Sequence, residues 1–478
     1  MKSLFRGLSV SVVALFAAGC ATPNPAPLNR PGDVPVAFTA PVADAAAPIW
    51  PEANWWANFH ADELPALEET AQRENLDIAA ANARILESEA LDESSFAALL
   101  PNVNGNLGAS RAGTNRTHPP STSDTFTAGF SGTYTLDVFG LNQDKLRQAR
   151  ETLRNSRYAA QVTGISTLST VASQYFVVLA LRERITVARQ QIVAAKDILA
   201  VTQAKVSNGV LSNLDLAQQT AAELGVEARL PGLIEQEREA RNALAILLGR
   251  APEGFDVNGQ NLTGIVSPAV RPGLPSEVLL RRPDVAAAEA TLFAAHANVD
   301  AARAAFFPQI GLTAGANWSA STIGSLINPA GFAWSIGSSL LQTIFDSGRI
   351  GAQSELAKAQ EIEQIANYRK TVFTAFSDVE TQMGQVAADT DQLAALAQVV
   401  TADTEAFRIA NLQYREGTID ILSLLNTENS LFSAQDQLVQ TRLARLQANV
   451  ALYRALGGGW TQPASDASYK YQLDWSPL

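Results

Sequence analysis

Residues 101–110 read PNVNGNLGAS, and residues 308–319 read PQIGLTAGANWS. In both, a proline closes a helix-like stretch and a period-two alternation begins. Val103, Leu107 and Ala109 fall on one side of the first stretch, with Asn102, Asn104, Asn106 and Ser110 on the other. In the second, Ile310, Leu312, Ala314, Ala316 and Trp318 alternate with Gln309, Thr313, Asn317 and Ser319. A polar loop follows each: 114–123 with Pro119-Pro120, and the segment around Asn328-Pro329. Then a partner strand repeats the habit. Phe126, Ala128, Phe130, Tyr134 and Leu136 alternate with Thr127, Ser131, Thr133, Thr135 and Asp137, and Phe332, Trp334 and Ile336 with Ala333, Ser335 and Gly337. The pattern predicts four strands, at about 102–113, 124–138, 309–320 and 331–345, each with one wet and one apolar face.

The two stretches belong to a duplication. Asp77 to Pro101 and Asp284 to Pro308 are equal steps, as are Gly140 to Gly209 and Gly348 to Gly417. Leu248-Gly249 closes the first copy and Leu456-Gly457 the second. An internal repeat fixes architecture before any single residue does. Each copy reads as helix, strand pair, very long helix, turn, returning helix: repeat 1 over 62–249 and repeat 2 over 276–457. The protomer is mainly α with a β part.

The N-terminus is a targeting segment. Lys2 and Arg6 precede a short apolar run, Leu8 to Ala18, too short to span a bilayer as a helix. It ends in Ala17-Ala18-Gly19-Cys20, and Cys20 is the chain's single cysteine. Small residues before a cysteine resemble the lipobox of bacterial lipoproteins, with Ala17 at the position usually held by Leu. The expectation is a lipoprotein signal peptide over 1–19 and lipidation, palmitate included, at Cys20; an ordinary secretory signal with an incidental cysteine is the alternative. Ala21 follows rather than Asp, so an inner-membrane retention signal is absent. Residues 20–61, rich in Pro and Ala at their start, read as a lipid-anchored tether. No later stretch has 18 consecutive apolar residues, so a crossing of the membrane would need a β-barrel.

An export signal and the aromatics Phe126, Trp318, Phe332 and Trp334 near strand ends favour membrane strands over a soluble hairpin, which alternates in the same way. The smallest outer-membrane barrels have about eight strands. Four cannot enclose a lumen, so the barrel must be shared between chains. Eight strands leave an interior filled by side chains, so a pore favours three or more protomers.

No proline occurs from 121 to 230 or from 330 to 462. Residues 142–208 and 350–416 each read as one helix, on the order of 100 Å long at about 1.5 Å per residue. Leu168, Val171, Ala172, Tyr175, Val178 and Leu179 form an apolar stripe on the first. Both turn at a glycine, Gly209 and Gly417, and return as 213–249 and 420–456. The connections 250–275 and 458–478 are irregular and are read as an equatorial belt.

The net charge of −12 leaves no basic surface for nucleic acid. One cysteine and three histidines distant in sequence (His60, His118, His296) give no metal-site pattern. GxxxxGK[ST], HExxH, GxSxG and CxxC are all absent from the sequence. No enzyme, metal or cofactor is expected.

Several motifs carry a resemblance. Gly273-Leu274-Pro275-Ser276-Glu277 is followed by Leu280-Arg281-Arg282-Pro283-Asp284-Val285, then by Ala302-Arg303-Ala304-Ala305-Phe306-Phe307-Pro308. The second repeat ends Leu452-Tyr453-Arg454-Ala455-Leu456-Gly457-Gly458-Gly459-Trp460. Trp55-Trp56 with Phe59 and Leu64, and Leu136-Asp137-Val138-Phe139-Gly140, fit the same pattern. Together they resemble the outer membrane factor (TolC-like) family over about residues 50–460, nearest its NodT-type lipoprotein branch. Thr343 stands where many members carry proline.

That resemblance implies a homotrimer with a shared 12-stranded outer-membrane barrel and a periplasmic α-barrel of helical hairpins. It implies a passive exit channel for small molecules in a tripartite efflux pump, served by a periplasmic adaptor and an inner-membrane pump. A type I protein-secretion duct uses the same architecture; a non-channel periplasmic coiled-coil scaffold is a third reading. The resemblance also places a periplasmic gate at the hairpin turns, with Tyr414, Arg415, Glu416 and Asp420 on one and Asp215 on the other. A ring of carboxylates there would attract cations and repel itself. Asp215 and Asp420 are equally suited to be helix caps, since a carboxylate in the first turn is favoured regardless.

Overall fold

Proline punctuates the starts of helices here rather than their middles. Pro65, Pro231, Pro275 and Pro283 all lie in a first helical turn, where the missing N–H has no intrahelical partner to lose. The computed structural model describes residues 35, 37–39, 49–114, 121–270 and 273–461. The chain divides into Met1–Val34 and Pro35–Leu478, and every described residue lies in the second unit. The signal segment, Cys20, Pro119-Pro120 and 462–478 fall outside the described residues.

The first repeat opens with α1 (Leu64–Glu74) and α2 (Leu76–Ala97), separated at Asn75. Strands β1 (Asn102–Thr114) and β2 (Ser121–Leu136) follow. The long α3 (Leu141–Ser207) then runs to the Gly209 turn, and α4 (Asn213–Glu227) and α5 (Leu230–Leu247) return. The second repeat has α6 (Pro275–Leu279), α7 (Pro283–Ala304), β3 (Gln309–Ala320), β4 (Phe332–Leu341), the long α8 (Arg349–Glu416) and α9 (Ile421–Ala455).

Four expectations need correction. The 62–98 helix is two, because Asn75 is extended and caps the second with its side chain, accepting from the amides of Asp77 (2.8 Å) and Ile78 (3.0 Å). The return helix 213–249 is also two, broken at Ala228-Arg229 where Pro231 starts a new helix. β4 stops at Leu341 rather than about 345. There the Asp346 carboxylate accepts from the amides of Gly348 (2.9 Å) and Ile350 (2.8 Å) and folds the chain into α8. The stretch taken as a tether to residue 61 is not one throughout: Trp55–Phe59 forms a 3-10 turn whose aromatic side chains are buried. One helix carries a membrane-like window without 18 consecutive apolar residues. An 18-residue window of α3 reaches a mean hydropathy of 1.4, but 56% of it is buried inside the fold. Its stripe, Val171, Ala172, Tyr175, Val178 and Leu179, is core.

That core gathers around α3. Trp55, Phe59, Leu64, Phe176, Leu179, Leu244, Leu248, Leu262 and Tyr453 pack in one cluster, with the rings of Trp55 and Tyr453 stacked at 5.2 Å. The two repeats close in the same way. Asn75 Nδ2 donates to the carbonyl of Leu247 (2.7 Å), and a guanidinium nitrogen of Arg282 donates to the carbonyl of Ala455 (3.1 Å). Asn75 and Arg282 are corresponding positions, as are Leu247 and Ala455. Arg282 is buried and is also held by Asp284 (2.6 Å) and Asp378 (3.1 Å).

The strands form one antiparallel sheet in the order β1-β2-β3-β4. Register brings the apolar rows together: Leu107 opposite Ala128, Ala128 opposite Trp318, Trp318 opposite Phe332, and Ala316 opposite Trp334. This row has no cover among the described residues; Leu107 is 85% exposed and Trp334 70%. β1 and β4 are both edges, with open hydrogen-bonding groups.

The glycines divide into two kinds. Gly417 (φ +81°) turns α8 with open space where a Cβ would stand, whereas at Gly457 (φ +93°) a Cβ would lie 1.8 Å from the carbonyl oxygen of Arg281. Gly417→Ala is therefore expected to cost only the left-handed backbone penalty, about 1–2 kcal/mol. Gly457→Ala must also displace backbone. Thermal melts followed by circular dichroism should show a clearly larger loss for Gly457→Ala; equal losses would contradict this account of the closure.

Candidate functional site

The free ends of the two helical hairpins carry the residues singled out in the sequence. Gly209 (φ +72°) and Gly417 (φ +81°) adopt the left-handed conformation that ends a helix and reverses the chain. Past each glycine a capping side chain starts the return helix. Ser212 and Asp215 form a reciprocal capping box: the Ser212 hydroxyl accepts from the Asp215 amide, and Asp215 Oδ2 accepts from the Ser212 amide (2.9 Å). Asp420 is the N-cap of α9, accepting from the Ser423 amide at 2.7 Å.

These bonds set the charge of the turns. The hydroxyl and amide of Ser212 hold the Asp215 carboxyl below the ordinary carboxylate range, although the charge of Asp420 pushes it back. The Ser423 amide and hydroxyl lower Asp420 in the same way. Both carboxylates are ionised at neutral pH, and the two turns lie close enough for one charge to be felt by the other.

Tyr414 and Arg415, by contrast, reach across to the other hairpin. Tyr414 is 1% exposed. Its hydroxyl lies 2.6 Å from that of Thr202 on α3. The Thr202 hydroxyl already donates to the Ile198 carbonyl (2.8 Å), so the tyrosine is the donor. Lys205 sits 4.5 Å above the Tyr414 ring and donates to the Tyr414 carbonyl. Arg415 forms an ion pair with Asp197 on α3, and both are exposed. Ile198, Ala410, Tyr414, Ile421 and Leu424 make a small apolar cluster beneath. Glu416 is exposed at the turn. The arrangement thus ties α8 to α3 within one chain through Tyr414 and Arg415, while Asp215, Asp420 and Glu416 remain at the rim.

Four residues of this region were not singled out from the sequence. Asp197, Thr202 and Lys205 lie within four turns of Gly209, but their partners are more than 200 positions away, so only the fold pairs them. Glu428 had a signal: it falls on the apolar stripe Ile421, Leu424, Leu431 of α9. It is 3% exposed, its Oε1 has no hydrogen-bond partner, and burial pushes its carboxyl up to about 7. Among the described residues no group of acidic, histidine or cysteine side chains has metal-binding geometry.

The family model described as outer membrane efflux protein matches residues 67–250 and 274–458, the two repeats in turn. The pyoverdine export outer membrane protein OpmQ of Pseudomonas aeruginosa is 38% identical over 420 residues, covering 85% of this chain and 87% of its own. The toluene efflux pump outer membrane protein TtgC of Pseudomonas putida is 30% identical over 482 residues, covering 98% of each. Among solved structures, the outer-membrane channel OprN superposes with a TM-score of 0.82 at 28% identity, over 89% of this chain and 98% of its own. With its duplicated hairpins and open-edged sheet, the chain belongs to the outer membrane efflux protein family and is an efflux channel of the outer membrane.

Proposed function

We propose that three copies of this chain assemble into a continuous conduit, a passive exit duct for small molecules and not an enzyme. One observation carries the reading. The sheet has two open edges, β1 and β4, and an exposed apolar row, and neither is tolerable in lipid unless strands from other copies close the wall. Three copies give twelve strands, enough for an aqueous lumen. The long hairpins then line a periplasmic tunnel, and the irregular segment 250–270 lies at the level of the aromatic core. Cys20 anchors the N-terminus through lipid. A periplasmic adaptor and an inner-membrane pump supply cargo and energy at the hairpin tips. The relatives' names attach pyoverdine to one protein and toluene to another. So broad a range fits selection upstream of the channel, and small-molecule efflux fits better than protein secretion or a scaffold without a pore.

The assembly is tested by unheated electrophoresis of outer-membrane protein. A band at about three times the 50.8 kDa chain, collapsing to the monomer on boiling, is expected; a monomer before heating would refute the shared barrel.

The cross-ties at the tips make the gate. Tyr414 and Arg415 hold α8 against α3 and keep the mouth narrow, while Asp420, Asp215 and Glu416 supply its negative rim. Combining Tyr414→Phe with Arg415→Ala removes one buried hydrogen bond and one ion pair. Single-channel conductance in planar bilayers should rise in the double variant; an unchanged conductance would remove these two residues from the gate.

Glu428 adds a pH dependence with a defined sign. Its folded-state pKa is raised from 4.5 to about 7 by burial. Its contribution to the tip is therefore fully present below about pH 4.5 and lost as pH rises through about 7. Protection factors of the tip amides, with the intrinsic base-catalysed rate divided out, should be lower at pH 8 than at pH 5 in the native protein. In Glu428→Gln this difference should shrink; an unaltered difference would place the titration elsewhere.

A further inference from the structure

The belt segment 255–267 passes over two groups of arginines, and it treats them differently. Its first part saturates Arg182 on α3. That guanidinium donates to Glu237 (2.9 Å), to the carbonyls of Val257 (2.6 Å) and Gly259 (2.7 Å), and to Asp256. Its second part crosses Arg442 and Arg445 on α9. Arg442 is held by Glu183 Oε1 (2.9 Å), and the other oxygen of that carboxylate accepts from the Leu262 amide (2.9 Å). Glu183 is thereby used up. Arg445 has no acceptor and no ion-pair partner among the described residues, and its Nε is buried without a hydrogen bond.

Here the belt offers Leu262-Thr263-Gly264-Ile265-Val266-Ser267, which contains no carboxylate. Between it and the helices lies a cleft of about 270 Å³, walled by Leu393 and Leu446 and carrying Thr263, Ser267, Arg442 and Arg445. A half-buried cation facing hydroxyls and apolar walls, with no counter-charge among the described residues, is the complement of a small oxyanion. A guanidinium offers paired donors that match carboxylate and phosphate oxygens. We propose that this cleft binds a small molecule through its carboxylate or phosphate, with Arg445 as the counter-charge and Thr263 and Ser267 as hydrogen-bond partners. The site lies away from the hairpin tips and does not depend on how the channel gates.

The test uses the full-length protein, purified in detergent as its native assembly and titrated calorimetrically with inorganic phosphate and with citrate in low-anion buffer. Saturable binding of at least one is expected. Arg445→Gln should weaken it about tenfold or more, the loss that removing a charged hydrogen bond implies. Arg445→Lys should retain part of the affinity, and added chloride should weaken the native protein's binding. Thr263→Val, which leaves the charge in place, should cost a few-fold and provides the readout if Arg445→Gln fails to fold. The proposal is overturned if the native protein binds neither probe, or if both variants bind as it does. It is also overturned if binding appears only after residues 462–478 are deleted, which would assign the cleft to the chain's own acidic tail.

Discussion

A β-sheet placed in hydrocarbon cannot keep an unpaired edge, because lipid offers nothing to the exposed N–H and C=O groups. Much else in this protein answers to that constraint. Four strands are too few to curl shut, so in the proposed assembly each chain supplies a fraction of the wall. A fraction of a wall leaves its apolar row bare, as Leu107, Trp334 and Ile336 are bare here. The duplication halves the design problem: one strand pair and one helical hairpin, used twice, are joined by a sheet that runs without interruption from β1 to β4.

The helical half obeys a different rule. A helix of 67 or 68 residues cannot rest on propensity alone; its stability comes from the faces it buries. The faces differ along its length. Near the belt α3 is buried among α1, α5 and α9, around Phe176 and Leu179. Toward the tip the core thins to Ile198, Ala410, Tyr414, Ile421 and Leu424, and polar ties take over. Stability therefore falls from belt to tip, and the tip is where a conformational change costs least.

Much of this was legible in the sequence, and the limits have physical causes. Alternation and helical period depend only on near neighbours, so the strands, long helices and glycine turns can be read directly. The break before Pro231 was also visible, since a proline marks a helix start better than a helix interior; treating 213–249 as one element ignored that. Trp55, Trp56 and Phe59 could not be placed by period, because what buries them is α3 and Tyr453, more than a hundred residues away. The site divides along the same line. Asp215 and Asp420 as caps follow from local spacing, whereas the partners of Tyr414 and Arg415 exist only once two hairpins are packed. Glu183 and Arg445 had no local mark at all.

α3 and α8 differ in length by a single residue, and Gly140 to Gly209 is the same step as Gly348 to Gly417. Each residue added to a helix advances its end by about 1.5 Å and turns it by about 100°. Tyr414 meets Thr202 only because each helix, counted from Gly348 and Gly140, brings that residue to the tip at a matching height and facing the other helix. A single insertion in either would swing the tyrosine out of the seam. The two long helices are thus locked to each other as rulers, and any change in the reach of this protein must be made in both at once, in steps that restore the phase.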